Sequence, residues 1–393
     1  MPRRFRIEPL LIFLTMLPVT GVVPILKSFV MDGFGVSGFW THAFLAANML
    51  AAFLFAPIAG GLADRMGRPK LFVAIAAALD GLCFLLMPHI RDFTVLMSLR
   101  FVEGVFHIGT LSLLLAVAGA RGAEGRSAAM GRVGAAITFG VALGSPIGGW
   151  LGSISPFYSL SLGGVLMIAV GVLTALLDMP SDGLARRQPL GAILANLARE
   201  PRLRLPYLFA FLDRFTVGFF VASFPILATL KFGFTPGQIG GHIAAFMLTM
   251  GLLCPPVIWL ARRFSQTQML LWGSLSYGLL FAGVGWIAPP WLMVWMFALG
   301  ATSAVMFIPT LQLSAAFAPI GQMAASMGGF TSAGSLGFLL GPLVSGTLLS
   351  LLSGNMTTEA AYAIVLCCGG LLQSLVAGGL IVRASLAERE PTS

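Results

Sequence analysis

Apolar residues run along this chain in blocks much longer than a strand or a buried soluble helix needs, and the polar residues collect in the gaps between them. A helix that crosses a bilayer needs about 20 mostly apolar residues. Twelve blocks meet that length. They predict helices over residues 9–30, 40–60, 71–88, 94–118, 127–152, 158–178, 206–230, 238–260, 268–288, 292–316, 324–351 and 359–382. The gaps are short, apart from Ser181 to Leu205, which is polar and basic. This pattern predicts an all-α integral membrane protein with two six-helix bundles: residues 1–180, a linker over 181–205, and residues 206–393.

The halves resemble each other at an offset of 197 or 198 residues. Phe34-Gly35-Val36-Ser37 parallels Phe232-Gly233-Phe234-Thr235. Leu62 to Gly67 parallels Leu260 to Ser265, and Gly144 to Gly149 parallels Gly341 to Gly346. Such an internal repeat is expected of transporters that rock one bundle against the other about a midplane site.

Composition sharpens this picture. The chain is 58% hydrophobic and 9% charged, where a soluble domain carries about 25% charged residues. The formal net charge of +9 is not a nucleic-acid footprint, because the basic residues sit in short loops on one predicted side of the membrane. Basic loops stay on the cytoplasmic side. Arg3, Arg4 and Arg6 then hold the N-terminus inside, both termini are expected in the cytoplasm, and the first apolar block reads as an uncleaved helix. The expected location is a bacterial-type inner membrane, with lipid as the surrounding partner. Cys83, Cys254, Cys367 and Cys368 all fall in apolar blocks without metal-ligand spacing, so no metal site is expected. No phosphate-binding loop, zinc-protease motif or nucleophile elbow is present. Neither an enzyme nor a bound cofactor is expected.

Three constellations carry candidate chemistry. The first is Gly60 to Lys70, a charged turn between two apolar blocks that contains Gly61, Asp64, Arg65, Gly67 and Arg68. Asp64 ends the second predicted helix, among basic residues. The second is the fourth predicted helix, which carries Arg100, Glu103 and His107. At about 100° per residue these three share an arc of about 60°. Glu103 lies roughly 13 Å along the helix from its outer end, close to the bilayer midplane. A charge at that depth costs several kcal/mol and points to function by default. Arg100 and Glu103 are read as a switchable pair with Glu103 as the proton site, against the plainer reading of a permanent ion pair. His107 is a candidate relay or substrate contact. Asp213 and Arg214 in the seventh helix are further cavity candidates; neighbours on a helix point about 100° apart, so each is expected to pair elsewhere. Asp80, in the third helix, is expected to support packing. The third constellation is Gly140, Gly144, Pro146, Gly148 and Gly149 in the fifth helix, with Gly337, Gly341 and Pro342 in the eleventh. Glycines every fourth residue let helices approach closely, and proline bends a helix.

The pattern Gly61-x-x-Asp64-Arg65-x-Gly67-Arg68-x-Lys70 closely resembles the signature loop between helices 2 and 3 of the major facilitator superfamily. Arg100-x-x-Glu103-Gly104 resembles that family's helix 4 motif, with Glu103 where glutamine is usual. Gly140 to Gly149 resembles its antiporter motif, with the proline one place later, and Gly337-xxx-Gly341-Pro342 is similar to the same pattern. The resemblance implies the family's twelve-helix fold and alternating access about a central cavity. It implies an inside gate at Asp64, cavity-facing fourth and seventh helices, a peripheral third helix and a monomer. The function it implies is proton-coupled efflux of a small, partly apolar molecule, so the expected partners are that substrate and protons. The alternatives are a proton symporter or facilitator importing a sugar or carboxylate and, more remotely, a nontransporting receptor or scaffold.

Overall fold

The computed structural model describes residues 7–66, 69–119, 123–177, 199–319 and 323–387. Twelve described helices are long and apolar enough to cross a membrane. They are α1 (Glu8–Gly21), whose span continues through the following turn to Ile25, α2 (Gly38–Met66), α3 (Pro69–Leu86), α4 (Phe93–Gly119), α5 (Ala123–Ile154), α6 (Pro156–Leu176), α7 (Arg204–Phe232), α8 (Pro236–Leu260), α9 (Gln266–Gly283), α10 (Pro289–Ala316), α11 (Met323–Leu352) and α12 (Thr358–Ala387). The all-helical membrane fold and the twelve spans expected from the apolar blocks are borne out. The first predicted helix is less regular than its block. α1 gives way at Val22 to a 3-10 turn over Val23–Ile25 and a π turn over Lys27–Met31. Pro24 lies in that break, where its missing N–H withdraws an intrahelical donor.

Two glycines show the internal repeat in the backbone. Gly35 and Gly233, one offset apart, have φ of 62° and 66°, the left-handed region that a side chain opposes. No other described residue has a positive φ. Each ends the chain segment leading out of the first helix of its half. Helix starts are capped where the loops are tight: Ser155 accepts from the Phe157 N–H before α6, and Ser265 from the Gln268 N–H before α9.

Packing divides the chain into two compact units, one of residues 1–187 with 233–244 and the other of 188–232 with 245–393. In the first, α1 packs on α5 and α6, α2 on α4, and α3 on α4 and α6. The first turns of α8 also belong to this unit. The Gly237 N–H donates to Ser153 Oγ at 2.8 Å, and a Cβ on Gly149 would collide with the Pro236 carbonyl. In the second, α7 packs on α11, α12 and α10, and α9 on α10 and α12. Its core is aromatic: Phe220 stacks on Phe224 at 4.8 Å and meets Phe246 edge-on at 5.4 Å.

Candidate functional site

The polar centre of the first unit is built by three helices. Arg100, Glu103 and His107 lie one turn apart on α4, Asn48 lies on α2 and Asp80 on α3. All five are buried, Glu103 to 1% exposure and Asp80 to 0%. Glycines bring the helices close enough for the side chains to meet. A Cβ on Gly104 would lie 2.6 Å from the Asn48 carbonyl oxygen, so α4 touches the α2 backbone beside Glu103. A Cβ on Gly81 would lie 2.6 Å from the Gly164 carbonyl oxygen, which draws α3 against α6 next to Asp80.

The hydrogen bonds form two linked pairs. Arg100 Nη1 donates to Glu103 Oε2 at 2.8 Å, and Asn48 Nδ2 donates to the same oxygen at 2.7 Å. His107 Nδ1 stands 2.9 Å from Asp80 Oδ2. The Arg100 guanidinium also lies over the Phe44 and Phe84 rings, 5.0 and 5.9 Å from their centroids. Asp80, Glu103 and His107 each offer a side-chain donor atom, and these atoms all fall within 4.8 Å of one another. A small cation fits such a spacing in principle. Here Arg100 and Asn48 already engage the Glu103 carboxylate. Three of its buried atoms have no hydrogen-bond partner among the described residues: Asp80 Oδ1, Arg100 Nε and His107 Nε2.

The sequence reading placed Asp80 in a packing role. The structure puts it in the ionisable group, because α3 turns that residue toward α4 and into contact with His107. Asn48 was not singled out at all. Its only signal was being the lone amide in the second apolar block.

In the second unit, Asp213 and Arg214 do pair with each other, contrary to expectation: Arg214 Nη1 lies 3.2 Å from Asp213 Oδ2. The long arginine side chain folds back over the angular gap between adjacent positions. Its guanidinium also sits 5.0 and 5.6 Å from the centroids of Phe307 and Phe338. Asp213 is buried and its Oδ1 has no partner among the described residues. A neutral polar chain lies in the same unit, where Thr216 Oγ1 donates to Gln373 Oε1 at 3.0 Å and Gln373 Nε2 lies 2.8 Å from Met306 Sδ.

The glycine series lies along two helix contacts. Gly140, Gly144 and Gly148 face α1, where added Cβ atoms would meet Met16 and Phe13, then Leu17, then Gly21. Thr20 Oγ1 donates across the same contact to the Val141 carbonyl at 2.6 Å. Gly149 faces Pro236, and Pro146 is inside α5. Gly337 and Gly341 repeat the arrangement against Phe211 and Phe215 of α7, and Pro342 abuts Gly218. Of the charged turn, Gly67 and Arg68 lie outside the described residues, and so do the side chains of Asp64 and Arg65 and the surroundings of Gly61.

Comparison with known proteins places the chain. The family model of the Major Facilitator Superfamily matches residues 10–212 and 206–392. Multidrug resistance protein 2 of Bacillus subtilis (strain 168) is 25% identical over 364 residues, covering 86% of this chain and 87% of that protein. Quinolone resistance protein NorA of Staphylococcus aureus (strain MRSA252) is 29% identical over 168 residues, covering 41% of this chain and 42% of that protein. Among solved structures, a bacterial homologue of the human lysosomal transporter Spinster, inward-facing and unoccupied, superposes with a TM-score of 0.78 at 14% identity. That match covers 98% of each chain. With the family model matched from the first helix to the last, and its twelve-helix fold present, the chain belongs to the Major Facilitator Superfamily and is an integral membrane transporter.

Proposed function

We propose that this transporter exports small, partly apolar molecules, drugs among them, across a bacterial-type inner membrane in exchange for protons. The observation that carries the reading is the buried ionisable group of Asp80, Arg100, Glu103 and His107. It lies within membrane-spanning helices of a chain that aligns with a multidrug resistance protein over 86% of its length. A buried charge in a membrane helix is costly and marks an ion or proton pathway by default. A proton entering down a negative-inside potential gains about 2.3 kcal/mol per 100 mV, which is available to drive substrate outward.

In this cycle the buried group takes a proton from outside and releases it inside. The close glycine contacts of α5 on α1 and of α11 on α7 let each bundle hold its helices tightly while it pivots, with Pro146 and Pro342 supplying the bends. Asp64, with Arg65 and Arg68, forms the inner gate. Asp213 and Arg214 face the substrate pathway. Both termini are cytoplasmic, the bundles are residues 1–180 and 206–393 about the 181–205 linker, and the protein works as a monomer.

The test is a protection assay. The parent and a Glu103→Gln variant are expressed in an efflux-deficient bacterium and challenged with a panel of toxic compounds that includes quinolones. Protection by the parent, abolished by a protonophore and lost in an equally expressed variant, is the expected result. Protection that persists under the protonophore overturns proton coupling. Increased sensitivity to a polar compound moves the reading to uptake of a nutrient.

A further inference from the structure

Within the buried group the charges do not balance. Asp80 and Glu103 bring two carboxylates, and Arg100 brings the one permanent cation. The groups around them are few. Asn48 from α2 is an uncharged amide, Cys83 from α3 is a thiol, and His107 is the remaining group able to take up a proton. Among the described residues the electrostatic partners of Asp80 and His107 are each other, Glu103 and Arg100, so α1, α5 and α6 bring no further charge to the pair. If every carboxylate were ionised and the imidazole neutral, one net negative charge would be sealed among Phe44, Phe84 and α4. Burial of an unpaired charge is far more costly than protonation, so the group takes up a proton instead.

The hydrogen bonds say where. Glu103 Oε2 already accepts from a guanidinium and an amide, both of which stabilise its ionised form. The Asp80 carboxylate has one partner, the His107 ring, and its Oδ1 has none among the described residues. We infer that the exchangeable proton of this transporter is held between Asp80 Oδ2 and His107 Nδ1, while Glu103 stays ionised against Arg100. The inference rests on the proton-coupled reading and moves its coupling site from Glu103 to a pair bridging α3 and α4. On release, the proton leaves the Asp80–His107 link and the group becomes net negative. Arg100, whose donor lies on the neighbouring carboxylate, is then drawn toward Asp80 as well. A proton arriving at the pair reverses this.

Substitution alone does not locate the proton. Glu103→Gln also removes a negative charge and frees Arg100 for Asp80, so loss of coupling in that variant fits either residue. The tautomer of His107 does discriminate. If the extra proton is in the Asp80–His107 link, Nε2 carries a hydrogen whether the link is carboxylate–imidazolium or carboxylic acid–imidazole. If it is on Glu103, the ionised Asp80 draws the single ring hydrogen to Nδ1 and Nε2 is bare.

Nitrogen NMR of the full chain, labelled with 15N-histidine and held in lipid nanodiscs, reads this directly with the proton as its probe. The chain has four histidines. His42→Gln, His89→Gln and His242→Gln assign the His107 signal by elimination, so no variant of the buried group has to fold. The expected result at neutral pH is a protonated Nε2 that becomes bare as the pH is raised with the protein still folded. A bare Nε2 at neutral pH overturns the inference and returns the proton to Glu103. An Nε2 that stays protonated across the whole folded range makes the link a fixed structural bond and overturns its part in exchange. Neither failure touches the export reading, and the proton-coupled reading falls on its own if protection survives a protonophore.

Discussion

The helix pairs α2–α4 and α8–α10 are built on one backbone plan and filled with opposite chemistry. Gly104 presses α4 on the Asn48 backbone, and Gly300 presses α10 on the Phe246 backbone. Gly81 meets Gly164 as Gly278 meets Gly370. With those glycines aligned, Arg100, Glu103 and His107 correspond to Met296, Leu299 and Ser303, and Asp80 corresponds to Tyr277. All four second-unit counterparts are buried. The repeat has therefore kept the close helix contacts and exchanged a charged group for an uncharged one. The glycines are what the fold requires, since both halves retain them. The Asp80, Arg100, Glu103 and His107 group is present in one half only, and its buried charges cost stability there unless they do something else.

The largest test of that contrast gives the first unit the contents of the second. Arg100→Met alone leaves Glu103 buried without its cation, and breaking a buried pair in this way costs about 3–5 kcal/mol. The purified variant should show a much lower midpoint in thermal unfolding followed by tryptophan fluorescence. Arg100→Met with Glu103→Leu removes both charges, and replacing a buried ion pair by apolar residues of similar volume is often neutral or stabilising. The double variant should regain the parent midpoint while losing protection in the export assay. If the double variant is as unstable as the single one, the charges are structural and the contrast between the halves fails.

A smaller effect is expected at the shared glycines. Gly104→Ala and Gly300→Ala each place a methyl against the backbone of the neighbouring helix, and overpacking of this kind costs about 1–3 kcal/mol. The two variants should lose similar stability, because the contact is common to both halves. They should differ in activity. Only Gly104→Ala shifts α4 from Asn48 and Asp80, so it alone should reduce protection beyond what its expression level explains. Equal loss of protection from both would show that the contact itself, not the group it positions, is what transport depends on.

These contrasts also mark what the sequence made legible. The twelve spans followed from block length, because a backbone in lipid must satisfy its polar groups internally and a helix that does so across the core needs about 20 apolar residues. The common face of Arg100, Glu103 and His107 followed from helical spacing. What did not follow was pairing across helices. Asp80 lies on a different helix from His107, and one sequence does not show which face α3 turns to α4. Asn48 offered only its polarity; Gly104 stood out as part of a motif but not as the contact that sets the α2–α4 distance, and Gly81 offered no signal beyond being a glycine in an apolar block. The local pairing of Asp213 with Arg214 failed for a different reason. The rule that adjacent helical positions diverge holds for Cβ directions, while a guanidinium on a long side chain reaches back across the gap.

The smallest effect separates His107 from its counterpart. Ser303 Oγ lies 3.4 Å from Met250 Sδ, a weak bond to a poor acceptor. Ser303→Ala removes the hydroxyl and leaves only a thioether unpaired, which has little affinity for a donor in the first place. The change should move the unfolding midpoint by no more than about 0.5–1.5 kcal/mol would, the net worth of one ordinary hydrogen bond, and should leave protection intact. His107→Ala at the corresponding place on α4 takes the only described partner from the buried Asp80 carboxylate. Protection should disappear with it, even in cells grown cool enough to offset the lost stability. A Ser303→Ala variant that also lost export would mean that the second half contributes to the coupled step through this position, and that its uncharged filling is not the passive counterpart it resembles.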